Sequence, residues 1–249
     1  MRARGAYRPA AGAITRRHTL AIGAAALLPL SARGARADSG AIRAGGNPAW
    51  FPYSWEEGER LRGLGMDRAE AALGHLGLTV LPMTFGRWPR ALAALAHGQV
   101  DLLVSALWNA ERTAQMLYTA PYATDDVCAF VRRQDLERYH AVADLFGRVG
   151  LAPLGSAYGA DMDALEARGL NLERSGTITG MLQRVRHARA DYCVLVRQNG
   201  LHLLASLDLA DDLAPLPFPL APVQVRMLIT RDGPLAGRLE ALNGLITGV

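Results

Sequence analysis

The chain has 249 residues, half of them apolar, enough for one large domain or two modest lobes around a packed core. Its formal charge of +4 is unevenly placed: the first 37 residues hold seven Arg and no acid, and without them 20 basic residues face 23 acidic ones. The basic balance is therefore not a nucleic-acid footprint, and no apolar run reaches the ~18 residues that a membrane span needs.

In chain order, the N-terminus comes first. Arg2, Arg4, Arg8, Arg16 and Arg17 precede an apolar stretch at residues 20–30 (LAIGAAALLPL). Ala35-Arg36-Ala37 then places small residues at the −3 and −1 positions of a cleavage site. This order of charge, apolar core and A-x-A reads as a signal peptide over residues 1–37, cleaved after Ala37, and implies a periplasmic product. Thr15-Arg16-Arg17-His18-Thr19-Leu20 is similar to a twin-arginine signal, with Thr19 where Phe is usual. Twin-arginine and general secretory export both stay open.

The mature part alternates strand-like and helix-like runs. Strands are expected at 41–44, 78–83, 100–106 and 127–131, with helices at 66–76, 89–97 and 111–117. A second cycle gives strands at 148–152, 172–174, 192–196 and 223–230. Its helices are expected from Gly155-Ser156 towards Arg168, at 179–188 and at 234–245. Such alternation predicts parallel sheets covered by helices, and its repetition after about residue 126 predicts two lobes. Cys128 and Cys193 each sit in a strand-like run. They could pair in an oxidising compartment or remain two buried thiols. No Cys/His spacing suits zinc, and no cofactor is expected.

Several stretches, taken together and in order, resemble the bacterial extracellular solute-binding proteins of family 3, the group that includes polar amino-acid receptors of ABC transporters. They are Asn47-Pro48-Ala49-Trp50-Phe51-Pro52-Tyr53-Ser54, Gly63-Leu64-Gly65-Met66-Asp67, the L-x-x-L-x-x-G-x-x-D step from Leu92 to Asp101, Asn109-Ala110-Glu111-Arg112, Pro121-Tyr122, Gly150 through Gly155-Ser156, and Ala190-Asp191-Tyr192-Cys193-Val194. The resemblance covers nearly all of residues 41–245. It implies a two-lobed periplasmic-binding-protein-like α/β fold of type II, with a ligand clamped by hinge closure. The first lobe would hold residues 38–125 and 223–249, the second 126–222, with hinges near 123–127 and 215–222.

The resemblance also assigns a site. Arg112 stands where the family binds the ligand carboxylate, and a guanidinium fork matches that group. Trp50 and Trp88 align with two aromatic positions that sandwich the ligand, with Tyr53 a further candidate. Ser105 closes the strand that leads to Arg112. Gly155 and Ser156 would offer backbone N–H groups and a hydroxyl at a helix start. Three positions depart from the pattern. Leu107 replaces a Ser or Thr, Asn109 replaces a Thr, and Val196 stands where amino-acid binders place an Asp for the α-ammonium. Asp125 or Asp126 could substitute for that carboxylate. An α-ammonium buried without a carboxylate is costly, so the pattern predicts a small polar ligand with a carboxylate and no α-amine, or another small anion.

The expected product is a monomeric, non-enzymatic binding protein for a small organic acid, partnered by an inner-membrane permease or sensor and by no nucleic acid. An accessory sensing role is one alternative. An enzyme on the same fold is the other, for which Ser156, His187 and Asp191 could be imagined as a triad, although no G-x-S-x-G elbow occurs.

Overall fold

The computed structural model describes residues 40–247. The signal-peptide reading of residues 1–37 and the cleavage point after Ala37 lie outside the described residues.

The chain opens with β1 (Ala41–Gly45), then a small three-stranded sheet of β2 (Ala49–Trp50), β3 (Ser54–Glu57) and β4 (Arg60–Arg62). It continues through α1 (Leu64–His75), β5 (Thr79–Pro82), α2 (Trp88–Ala96) and β6 (Leu102–Ala106). A 3-10 turn at Glu111–Ala114 and β7 (Met116–Tyr118) follow, where the sequence suggests one helix over 111–117. The long β8 (Ala123–Arg132) leads to β9 (Gly150–Pro153), α3 (Ala160–Ala167), β10 (Leu172–Ser175), α4 (Ile178–Arg186), β11 (Tyr192–Val196), α5 (Arg197–Ser206) and β12 (Leu213–Pro215). A second long strand, β13 (Ala221–Thr230), and α6 (Leu239–Thr247) complete the order.

The helices follow from their apolar spacing. In α1, Met66, Ala69, Ala72 and Leu73 are buried on one stripe. In α4, Met181, Leu182 and Val185 are, and Thr177 caps its N-terminus by accepting from Gly180 N–H at 3.2 Å. β6 and β11 are buried along their whole length, which explains their near-continuous apolar sequences. Gly65 is required where α1 meets β6, because a Cβ there would lie 2.4 Å from the Val104 carbonyl oxygen. The buried Asp101 carboxylate is clasped by Arg43 through Nε at 3.0 Å and Nη2 at 3.1 Å, tying β1 to the turn before β6.

The main sheet runs β10-β9-β11-β8-β13-β6-β1-β5. β1 pairs in parallel with β5 and β6, and β9 in parallel with β10 and β11. These parallel sets belong to the two lobes, and β8 and β13 join them. Residues 123–127 of β8 pair antiparallel with 221–225 of β13. Beyond that crossing, β13 continues along β6 and β7, while β8 continues along β11 and β12. Antiparallel pairing arises because one strand carries the chain out to the second lobe and the other brings it back. The strand that pairs with residues 123–127 starts at Ala221, inside the expected return segment 215–222. Pro215 is already held in β12, and Leu216 and Leu220 N–H bond to the carbonyls of Ala129 and Val127.

Cys128 and Cys193 are both free thiols in a buried cluster with Phe130, Met181 and Leu195. Burial pushes Cys128 up to about 11 and Cys193 up to about 12. Among the described residues, no helix is long and apolar enough to cross a membrane, and no group of three or more His, Cys, Asp or Glu is placed to hold a metal ion.

Candidate functional site

A cavity of about 550 Å³ lies between the loop carrying β2, the start of α2 and the Leu107–Arg112 turn on one side, and the β9–α3 loop, the α4 N-terminus and α5 on the other. Of the sequence-derived site residues, Trp50, Trp88, Arg112, Ser156 and Val196 line it together. Tyr53, Ser105 and Gly155 are not among its lining residues, and each has a different place.

Tyr53 lies behind Trp50, edge-on to it with ring centroids 5.1 Å apart, and its hydroxyl donates to Asp125 Oδ2 at 2.9 Å. Burial first, and then the Asp125 carboxylate, hold that phenol well above its ordinary range. Ser105 is fully buried, with its hydroxyl bonded to that of Ser54, which in turn reaches the Asn47 carbonyl. It supports the loop before Trp50 from beneath. Gly155 contributes its carbonyl oxygen, which accepts from Arg112 Nη2 at 3.0 Å across the cleft.

Arg112 is positioned by its own turn. Asn109 Oδ1 accepts the Arg112 backbone N–H at 3.0 Å, so Asn109 caps the turn as a Thr could. Tyr118 anchors the same segment by donating to the Leu107 carbonyl and accepting from Asn109 N–H. The guanidinium then sits over the Trp88 ring, 5.8 Å from its centroid. Trp88 is itself held in place because the Glu56 carboxylate receives Phe85 N–H at 2.6 Å and Gly86 N–H at 3.0 Å.

Ser156 departs from the expectation in role. Gly155 and Gly159 both have positive φ, so the helix begins only at Ala160, and residues 154–159 form a loop. The Ser156 hydroxyl donates to the Pro153 carbonyl at 2.7 Å and caps no helix. Val196 ends β11 and is buried, and Leu195 and Val196 present only apolar side chains to the cavity. Asp125 does not replace the missing carboxylate. It receives Tyr53 Oη and the Gln198 N–H, and it is not among the cavity-lining residues. Asp126 is engaged with Arg197 at 3.5 Å. The imagined triad has no support either, since Asp191 Oδ2 accepts Val149 N–H at 2.8 Å.

Sequence reasoning missed Arg87, Arg90, Tyr158, Thr177 and Asn199, which also line the cavity. The R-W-P-R run around Trp88 was the signal for the two arginines, since α2 begins at Trp88 with Pro89 in its first turn. Asn199 lies in α5, which has no side-chain cap and a Gly in its middle. Its Oδ1 accepts Phe51 N–H at 3.1 Å, and Phe51 stacks on His202 with ring centroids 4.0 Å apart. Among the described residues, every charged side chain lining the cavity is an Arg (Arg87, Arg90 and Arg112), and no Asp or Glu lines it.

The bacterial extracellular solute-binding protein family 3 pattern matches residues 42–212, more than half of the chain. The chain belongs to this family. Its fold is the two-lobed, periplasmic-binding-protein-like one of several solved structures. It is similar to a histidine kinase sensor domain with similarity to periplasmic binding proteins (22% identity, TM-score 0.71, covering 83% of this chain and 88% of that one). It is also similar to holo ArgBP from T. maritima (18%, 0.68, 83% and 89%). A third similar structure is the Bordetella pertussis BvgS periplasmic VFT2 domain (17%, 0.68, 84% and 88%). A search of curated proteins gave no match. Family and fold are those of binding proteins rather than enzymes.

Proposed function

We propose that this family 3 member is an exported binding protein that captures a small carboxylate lacking an α-amine, closes on it without covalent chemistry, and delivers it to an inner-membrane permease. The carrying observation is the charge of the cavity: three Arg side chains and no carboxylate, with Val196 at the end of β11. An amino acid placed there would bury its ammonium without a counter-charge, at a cost of several kcal/mol. A carboxylate has donors instead, because Arg112 presents five N–H groups and one of them reaches Gly155. The lobes are taken as 38–125 with 223–249 and as 126–222, turning about the paired segments of β8 and β13. Export rests on the Arg-rich, apolar and A-x-A order of residues 1–37 and on the extracellular character of the family.

Calorimetric titration against matched 2-oxo acids and α-amino acids tests this reading. The oxo acid is expected to bind tighter, and Arg112→Ala to weaken it by about 2–5 kcal/mol, the range for truncating one partner of a buried charged contact. Tight binding of the amino acid that is indifferent to Arg112→Ala would contradict the reading.

A further inference from the structure

The cavity is polarised, and its polarity describes the far end of the ligand as well as the near one. All three charged lining residues come from the first-lobe side, Arg87 and Arg90 from the start of α2 and Arg112 from the turn after β6. The second-lobe side supplies Leu154, Ile178, Leu195, Val196 and Leu203 and no charge at all. Most of the polar groups on that side are already engaged with the protein, the exposed Thr179 in the first turn of α4 being the exception. Tyr158 Oη donates to the Val194 carbonyl at 3.0 Å, and Ser156 Oγ to Pro153. Thr177 Oγ1 caps α4, and Asn199 Oδ1 receives Phe51 N–H. Trp50 adds to the apolar character. Its Nε1 is buried out of reach of solvent and has no acceptor among the described residues, so it offers the cavity its ring and not its N–H.

A ligand with polar groups at both ends would leave one end poorly matched against this wall, which weakens its binding. An apolar body is stabilised by leaving water for that wall. We infer that the site takes a monocarboxylate with an aryl or branched-alkyl body, its carboxylate towards Arg112 and its body against Ile178, Leu195, Val196 and Leu203. This rests on the anion-binding reading above and narrows it from small polar acids to hydrophobic ones.

Three probes of similar reach separate the possibilities: 3-phenylpropionate, succinate and L-phenylalanine, titrated calorimetrically into the full mature chain. The expected result is that 3-phenylpropionate binds at least tenfold tighter than succinate and than L-phenylalanine. Leu203→Gln, which places an amide on the wall, should weaken 3-phenylpropionate at least fivefold and leave succinate within twofold, with folding checked by thermal denaturation. Succinate binding as tightly as 3-phenylpropionate would overturn the hydrophobic body while the anion reading stands. L-Phenylalanine binding tightest would overturn the anion reading itself. Binding of none of the three, in a protein shown to be folded, would overturn the hydrophobic class, and so would a Leu203→Gln variant that binds 3-phenylpropionate like wild type.

Discussion

In the function proposed here, Val196 is the residue on which the choice of ligand turns. It occupies a strand end that faces the cavity, beside Leu195 and across from the Arg112 turn. A carboxylate introduced there would find no cation placed to pair with it on its own side, because Arg197 is engaged with Asp126. Val196→Asp should therefore weaken an anionic ligand at least tenfold, through repulsion and an unmatched buried charge. Titration with the same oxo acid in wild type and variant measures this, and an unchanged affinity would remove Val196 from the site. Arg112 differs in kind. It donates to the Gly155 carbonyl directly and lies over Trp88, so it joins the two walls of the cavity while adding one of its three positive charges. Asn109 was read in the sequence as a departure from Thr, yet the structure shows it capping the turn that presents Arg112. An Asn side-chain oxygen can accept that N–H as a Thr hydroxyl can, so the departure in residue type need not be one in chemistry.

Elements were legible where their apolar spacing was regular and illegible where tertiary contact overrides local preference. β6, β11, α1 and α4 were readable because each buries a clean stripe or a full run. Helix α5 was not, since its R-Q-N-G start suggests a loop. The structure explains the Gly: a Cβ at Gly200 would lie 2.0 Å from Phe130 Cζ, so α5 packs against β8 only without one. Gly200→Ala should thus destabilise the protein by about 1–3 kcal/mol through overpacking, although Ala gains about 1 kcal/mol in intrinsic helix preference. Urea denaturation of the variant checks the sign, and a more stable variant would refute the packing argument. The helix expected at Gly155-Ser156 starts five residues late because two positive-φ glycines interrupt it, a backbone feature that composition alone does not fix. The 3-10 segment Arg133–Arg138 carries the clearest electrostatic element. Burial pushes the Asp135 carboxyl upwards, but hydrogen bonds from Arg138 and Arg132 outweigh it and hold the group below its ordinary range. A lowered folded-state value means that the stabilisation is present above the unfolded value of about 3.9 and is lost as pH falls through the folded one. Asp135→Asn should therefore cost about 2–3 kcal/mol at pH 7, and its gap to wild type should narrow below about pH 4. A gap independent of pH would show that the ion pairs contribute nothing.

At the scale of the whole molecule, the two lobes meet through contacts of opposite chemistry placed around the cavity. Arg112 reaches the Gly155 carbonyl, Phe51 N–H reaches Asn199, and the Phe51 ring stacks on His202. Behind them, Tyr53 bonds to Asp125 at the start of β8, next to the crossing where β8 and β13 pair. In the function proposed here, such contacts between the lobes, set around two continuous strands, would let a hinged receptor couple closure to occupancy. The sequence carried the two-lobed plan through its repeated strand–helix cycles, while the polarity of the cavity emerged only once residues 87–112 and 154–203 were brought face to face. The most direct test of that polarity is mass spectrometry of the small molecule released on denaturing protein purified under native conditions from its own export compartment. The predicted result is a monocarboxylate without an α-amine. Release of an α-amino acid or a cationic amine at stoichiometric amount would contradict it.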